Sequence, residues 1–177
     1  MGCRNGSDRG DGSKLGAWDG PMPLFLNTHI NKVDRKGRVS VPASFRAALA
    51  AQSAVAIVAF PSFRAPAIEV VDRQRMEQFS DSADQYAQFS DTHDDLSLAI
   101  FSSAEELAFD GEGRVMLPQS LADHAHITTL AAFVGLGRTF QIWSPETFER
   151  HKQSAGARVR EQGLSLMLRR NTEGGGS

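Results

Sequence analysis

The sequence predicts an α+β fold made from two copies of one strand–turn–strand–helix unit. Three observations carry that expectation: a twelve-residue motif occurs twice, each copy leads into short β-rich runs, and each copy ends where a helix has a defined start. Self-similarity comes first, because a repeated unit constrains architecture more than local propensity does. Asp34-Arg35-Lys36-Gly37-Arg38-Val39-Ser40-Val41-Pro42-Ala43-Ser44-Phe45 aligns with Asp110-Gly111-Glu112-Gly113-Arg114-Val115-Met116-Leu117-Pro118-Gln119-Ser120-Leu121 at an offset of 76 residues. Six of the twelve positions are identical. The likeness continues through Val55-Ala56-Ile57-Val58 against Ala131-Ala132-Phe133-Val134. After a four-residue shortening of the next turn, Ile68-Glu69-Val70-Val71 meets Phe140-Gln141-Ile142-Trp143, and Met76 meets Phe148.

Each element follows from its residues. Residues 1–22 are rich in glycine and polar residues, with Leu15 and Trp18 as large apolar groups, and are expected to form a disordered leader. The first copy, 24–80, opens with a strand over about 26–33. A tight turn follows, in which Asp34 can bond its own backbone and Gly37 permits positive φ. A second short strand, 38–41, is expected to complete a hairpin, and Pro42 then opens a helix where no helical N–H bond is lost. Phe45, Ala48 and Leu49 fall on one helical face at i, i+3 and i+4. Strands are expected at 54–59 and 67–71, and a helix after the N-cap residue Asp72.

The polar stretch 73–101 is helix-compatible and contains a connector, 81–101, between the copies. The second copy, 102–150, repeats the pattern with strands at 104–109, 114–117, 130–134 and 139–143. Asp110 and Gly113 hold its turn, Pro118 opens its short helix, and Ser144 with Pro145 starts its last helix. Residues 151–177 continue that helix, through Val159, Leu164 and Met167, into a glycine-rich tail.

The composition excludes several classes. At 177 residues with 41% hydrophobic and 23% charged residues, the chain is an ordinary globular one. Cys3 is the single cysteine and cannot form an internal disulfide, so a reducing, cytoplasmic compartment is expected. The longest uncharged stretch, between Arg46 and Arg64, is interrupted by Gln52 and Ser53 and is too short to span a bilayer. No membrane partner is expected.

The net charge of −2 conceals a dipolar distribution. Residues 27–50 hold Lys32, Arg35, Lys36, Arg38 and Arg46 against Asp34 alone. Residues 69–106 hold ten acids against Arg73 and Arg75. Turn one (34–38) carries net +2, whereas turn two (110–114), with Glu112 and Asp110 against Arg114, carries −1. A cationic β-ribbon fits the major groove of B-DNA, where Arg reaches guanine edges and Lys reaches phosphate. Arg38, Lys36 and Arg35 are therefore candidate DNA contacts. For turn two an internal Asp–Arg pair is the favoured reading.

Two Asp-x-x-Gly-Arg turns, each stepping through Val-x-Val-Pro or Val-x-Leu-Pro into a short helix, resemble the MraZ family, relatives of the AbrB-type (SpoVT/AbrB-like) regulators. The resemblance covers about 24–150, including the aromatic Trp143 near the end of copy two; Val71 departs from it in copy one. It implies a tandem swapped-hairpin, double-split β-barrel with peripheral helices. It also implies ring-shaped homo-oligomers that bind direct repeats in double-stranded DNA as transcriptional regulators, usually repressors, of a cell-division and cell-wall gene cluster, located with the nucleoid. Carried over by position, the DNA-binding residues are Arg38, Lys36, Arg35 and Arg114. Asp34, Gly37, Asp110 and Gly113 shape the turns. Gly111 and Glu112 depart from the cations expected of a DNA contact in copy two.

Other motifs carry less. His124 and His126 lack Cys, Asp or Glu partners at ligand spacing and are read as surface or cap residues, so no metal is expected. Gly135-Leu136-Gly137 lacks the third glycine and following helix of a dinucleotide fingerprint and is read as a hairpin turn. Asp91-Thr92-His93-Asp94-Asp95 is read as a solvated helix start. No phosphate loop, nucleophile elbow or paired-Cys motif is present, so neither an enzyme, a cofactor nor a small-molecule substrate is expected. The alternative function is an oligomeric scaffold of the same fold that does not touch DNA. The three cations of turn one argue against it.

Overall fold

A computed structural model describes residues 24–51, 56–86 and 90–163. The expected leader and the glycine-rich tail, with Leu164 and Met167, lie outside the described residues. The chain runs β1 (Thr28–Lys32), β2 (Arg38–Ser40), α1 (Ala43–Ala51), β3 (Ala56–Pro61), β4 (Ile68–Val71), α2 (Arg73–Ala83), α3 (Asp91–Phe101), β5 (Glu105–Ala108), β6 (Arg114–Met116), α4 (Gln119–His124), β7 (Leu130–Gly135), β8 (Phe140–Trp143) and α5 (Pro145–Glu161). Helices and antiparallel strands mix as an α+β chain should.

Helices α2, α3 and α5 start where a side chain satisfies one of the first free N–H groups. The Asp72 carboxylate accepts from the Arg75 N–H at 2.7 Å and starts α2. Ser90 caps α3 through the His93 N–H, so the acidic run from Asp91 opens a helix as expected. Ser144 caps α5 through the Thr147 N–H, with Pro145 in the first turn. Gly135 ends β7, and the Leu136 N–H bonds to the Thr139 carbonyl at 2.9 Å, placing a hairpin turn at the paired glycines.

The strand pairing differs from simple hairpins. Six strands form an antiparallel sheet in the order β1-β7-β8-β4-β3-β5, and β2 pairs with β6 alone. The first strand of each half thus joins the other half: β1 pairs with β7, and β5 with β3. The β4–β8 pair joins the halves at the centre of the sheet. The expectation that β2 completes a hairpin with β1 holds only at the turn, where Val33 bridges Val39 and the Asp34 N–H bonds to the Arg38 carbonyl at 2.9 Å. Beyond that point the strands diverge. Local alternation specifies which face of a strand is apolar, and it does not specify the partner.

Alternation then builds the core. Ile57 and Ala59 of β3, Ile68 and Val70 of β4, Phe133 of β7, and Phe140 and Ile142 of β8 share one buried cluster with Val39, Val115, Phe45 and Leu121. Phe25, Phe45 and Phe140 meet with ring centroids 4.9 to 5.3 Å apart. Truncating Phe45, which is 1% exposed, should cost about 3–5 kcal/mol. On the opposite face of the sheet a second cluster joins Ala132, Val134 and Trp143 to Phe148 of α5.

Candidate nucleic-acid interface

Both turns are locked by one aspartate. In turn one, Asp34 Oδ1 accepts the backbone N–H groups of Lys36 (2.8 Å) and Arg38 (2.9 Å). Its Oδ2 accepts from Arg38 Nε at 2.7 Å and lies 2.7 Å from Nη2. Turn two repeats this: Asp110 Oδ1 accepts the Glu112 and Arg114 N–H groups at 2.9 Å, and Oδ2 accepts Arg114 Nε at 2.8 Å. Gly37 (φ 80°) and Gly113 (φ 74°) close the turns in the left-handed region, which explains why each is glycine.

The electrostatics follow from those bonds. The Arg38 backbone N–H, followed by its guanidinium, holds the Asp34 carboxyl below the usual carboxylate range. The equivalent Arg114 groups hold Asp110 at about 2. In return, the Asp110 carboxylate raises the pKa of Arg114. An aspartate that accepts three or four hydrogen bonds is stabilised in its charged form, so both turns are rigid and ionised at neutral pH.

The two turns bracket a single ribbon. In the β2–β6 pair Arg38 faces Met116, Val39 faces Val115, and Ser40 faces Arg114. The Val41 N–H bonds to the Gly113 carbonyl at 3.1 Å, and the Leu117 N–H to the Gly37 carbonyl at 2.9 Å. Each short strand therefore ends on the turn of the other copy. Val39 and Val115 are buried in the core, so by strand alternation Arg38, Ser40, Arg114 and Met116 occupy the outward face. This places the two motif arginines on one surface, although they lie 76 positions apart in the chain. Arg35 and Lys36 are exposed on turn one, and among the described residues no ion pair holds either.

The sequence favours an internal Asp–Arg pair in turn two, although the resemblance carries Arg114 over as a DNA contact, and a DNA-contact role for turn one. The structure has the pair in both. It also holds Arg114 a second time, with Nη1 2.6 Å from Glu112 Oε2. Arg46, counted in the sequence only as a cation, reaches across from α1 and donates Nη1 to the Glu112 carbonyl at 2.9 Å. Its guanidinium covers Gly113, where an added Cβ would lie 1.7 Å from Nη1. Ala122 occupies the matching place in the second copy, so the repeat offset marks Arg46 as unshared. His124 is half-buried and lies with Nε2 3.1 Å from the Ser62 carbonyl, which ties α4 to the first copy.

Among the described residues no three His, Cys, Asp or Glu side chains gather as metal ligands would. No helix among them is long and apolar enough to cross a membrane.

The family model described as "MraZ protein, putative antitoxin-like" matches residues 24–98 and 100–170. A protein of Gluconacetobacter diazotrophicus named transcriptional regulator MraZ is 43% identical over 157 residues, covering 87% of this chain and 98% of its own. The protein of that name from Rickettsia akari is 41% identical over 145 residues, covering 82% and 97%. One from Gluconobacter oxydans is 43% identical over 142 residues, covering 78% and 87%. The family model covers most of the chain and the relatives match it over most of its length: the chain belongs to the MraZ family.

Proposed function

We propose that this chain regulates transcription by binding double-stranded DNA with the β2–β6 ribbon and turn one. One observation carries the reading: a two-stranded ribbon presents Arg38 and Arg114 outward, beside the exposed Arg35 and Lys36 of turn one, which no ion pair holds among the described residues. Arg35 and Lys36 suit phosphate contacts, which give affinity without sequence information. Asp34 engages Nε and Nη2 of Arg38, which leaves Nη1 for a base edge and fixes the direction in which the guanidinium points. Arg114, tied at Nε and Nη1, contributes less.

Assembly completes the reading. The sheet ends in two open edges, β1 with Lys32 and the exposed Ile30, and β5 with Glu105 and Glu106. Complementary edges favour a head-to-tail contact, which closes into a ring when the rotation between neighbours divides a full turn. A ring would bring several ribbons onto direct repeats and raise avidity by about 10²–10⁴ when the spacings match. The exchanged strands support the swapped-hairpin, double-split barrel that the resemblance implies. By that resemblance the regulator acts in the nucleoid as a repressor of a cell-division and cell-wall gene cluster.

The Asp34–Arg38 and Asp110–Arg114 pairs favour a second reading, a scaffold in which both arginines only brace turns. Band-shift titration of the full chain against its own upstream repeats, at two salt concentrations, separates the two. The Arg35→Ala/Lys36→Ala double variant should keep its oligomer size while its salt dependence falls by about two units of slope, as the loss of two phosphate contacts requires. Wild-type affinity and slope in that variant would refute this use of turn one. A well-assembled wild-type protein with no affinity for the repeats would leave the scaffold reading standing.

A further inference from the structure

Positions 71 and 143 lie outside the ribbon, at equivalent places on the sheet. In the second half, Trp143 fills the outer face of the sheet, with its ring 6.0 Å from Phe148 and 4.8 Å from His151. Val71 holds the equivalent place in the first half and lines a cleft of about 430 Å³ between β3, β4, α2 and α3. That volume suits a small organic molecule. Phe60, Phe79 and Ile100 line its apolar wall, and Phe63, 62% exposed, stands at its rim.

Three charged groups line the same cleft, Arg64 and Arg75 against Glu69. Arg75 lies with its guanidinium carbon 5.2 Å from the Phe79 ring centroid and donates Nη1 to Gln78 Oε1 at 2.7 Å. Its Nε is buried and has no hydrogen-bond partner, and no carboxylate pairs with it among the described residues. A buried guanidinium N–H without an acceptor is uncommon and points to an acceptor supplied from outside. Glu69 accepts the Gln141 amide through Oε1 at 2.7 Å, which orients the carboxylate and leaves Oε2 available.

The surroundings decide the ligand's charge. Two cations on the lining favour a carboxylate on the ligand, and the Glu69 carboxylate beside them favours an ammonium on the same molecule. A zwitterion answers both signs: its carboxylate meets Arg75 on the cationic side, its ammonium meets Glu69, and its apolar body lies on the phenyl rings. We infer that this cleft binds a small zwitterion with an apolar side chain, of which a free α-amino acid such as phenylalanine is the simplest. The site is separate from the ribbon, and its test needs no DNA.

The experiment is calorimetric titration of the full chain with L-phenylalanine, 3-phenylpropionate and 2-phenylethylamine in turn. The zwitterion should bind saturably, and removing either charged group should weaken binding at least tenfold. Arg75→Gln should weaken phenylalanine binding to a similar degree while leaving the circular dichroism unchanged. Equal binding of all three probes, or none of them binding at 10 mM (on the order of the weakest affinities a specific pocket shows), would overturn the inference. So would undiminished binding in a folded Arg75→Gln variant. The three probes compare ligands on the wild-type protein, so the inference stays exposed to refutation even where the variant does not fold.

Discussion

Turn one and turn two are built on the same backbone, yet they differ in every group that surrounds it. Both have an aspartate bound to two backbone N–H groups and to the motif arginine, and both end on a left-handed glycine. Turn one then adds Arg35 and Lys36, which no ion pair holds among the described residues. Turn two adds Glu112, which takes a second grip on Arg114, and is clamped from α1 by Arg46. The duplicated unit has thus diverged into an open cationic turn and a closed, acidic one. The comparison teaches that the motif Asp-x-x-Gly-Arg is itself a device for rigidity. What faces a partner is decided by the two residues between Asp and Gly.

The largest expected effect follows from that division. Arg38→Ala should abolish specific DNA binding, because it removes the outward guanidinium and also releases Asp34, while oligomer size stays unchanged. Arg114→Ala should cost less affinity, since turn two repels phosphate and its arginine is already occupied twice. Band-shift titration of both variants, with thermal melting in parallel, checks this. A greater affinity loss for Arg114→Ala at unchanged melting would reverse the roles of the turns.

A smaller effect separates the glycines by stability. Alanine in the left-handed region costs roughly 1–2 kcal/mol at either turn. At Gly37 the added Cβ would meet the Leu117 carbonyl at 3.4 Å, a tolerable contact. At Gly113 it would displace the Arg46 guanidinium and break its bond to Glu112, worth about 0.5–1.5 kcal/mol more. Gly113→Ala should therefore melt below Gly37→Ala. In an Arg46→Ala background the two should converge, because the group displaced is already gone. Persistence of the gap there would mean that Arg46 does not clamp turn two.

Much of this organisation was legible in the sequence, and the reason is local. The caps Asp72 and Ser144, the prolines at 42, 118 and 145, and the glycines in the turns fix where elements begin and end. Pairing was not legible, because β1 and β5 offer the same pattern to either half, and the choice depends on how the whole sheet closes. In the candidate site the repeat identified Arg38 and Arg114 but not their common surface, which depends on the β2–β6 register. Arg46 was missed for a related reason: its partner is a backbone carbonyl 66 positions away, and carbonyls carry no sequence signature.

The smallest effect concerns acid. Asp110 has a folded-state pKa of about 2, against an ordinary value of 3.8, chiefly because the Arg114 backbone N–H binds the charged carboxylate. A depressed carboxylate contributes stability that is complete above its unfolded pKa, and this is lost as pH falls through the folded one. Turn two should thus weaken between about pH 4 and pH 2, where the unfolded chain takes up the proton first. Asp110→Asn keeps an oxygen for the backbone N–H groups but removes the charge, so its contribution in that window becomes independent of pH. Melting of the variant should accordingly start lower at neutral pH and fall less steeply than wild type from pH 4 to pH 2. Asp34→Asn should act in the same direction, since the Arg38 N–H lowers Asp34 by the same geometry. Both side chains are open to solvent at the turn surface, so the effect is a change of slope and not a collapse of the fold. Parallel melting curves for Asp110→Asn and wild type across that window would show that the turn carboxylate is not linked to folding, and that the hydrogen bonds alone set the turn.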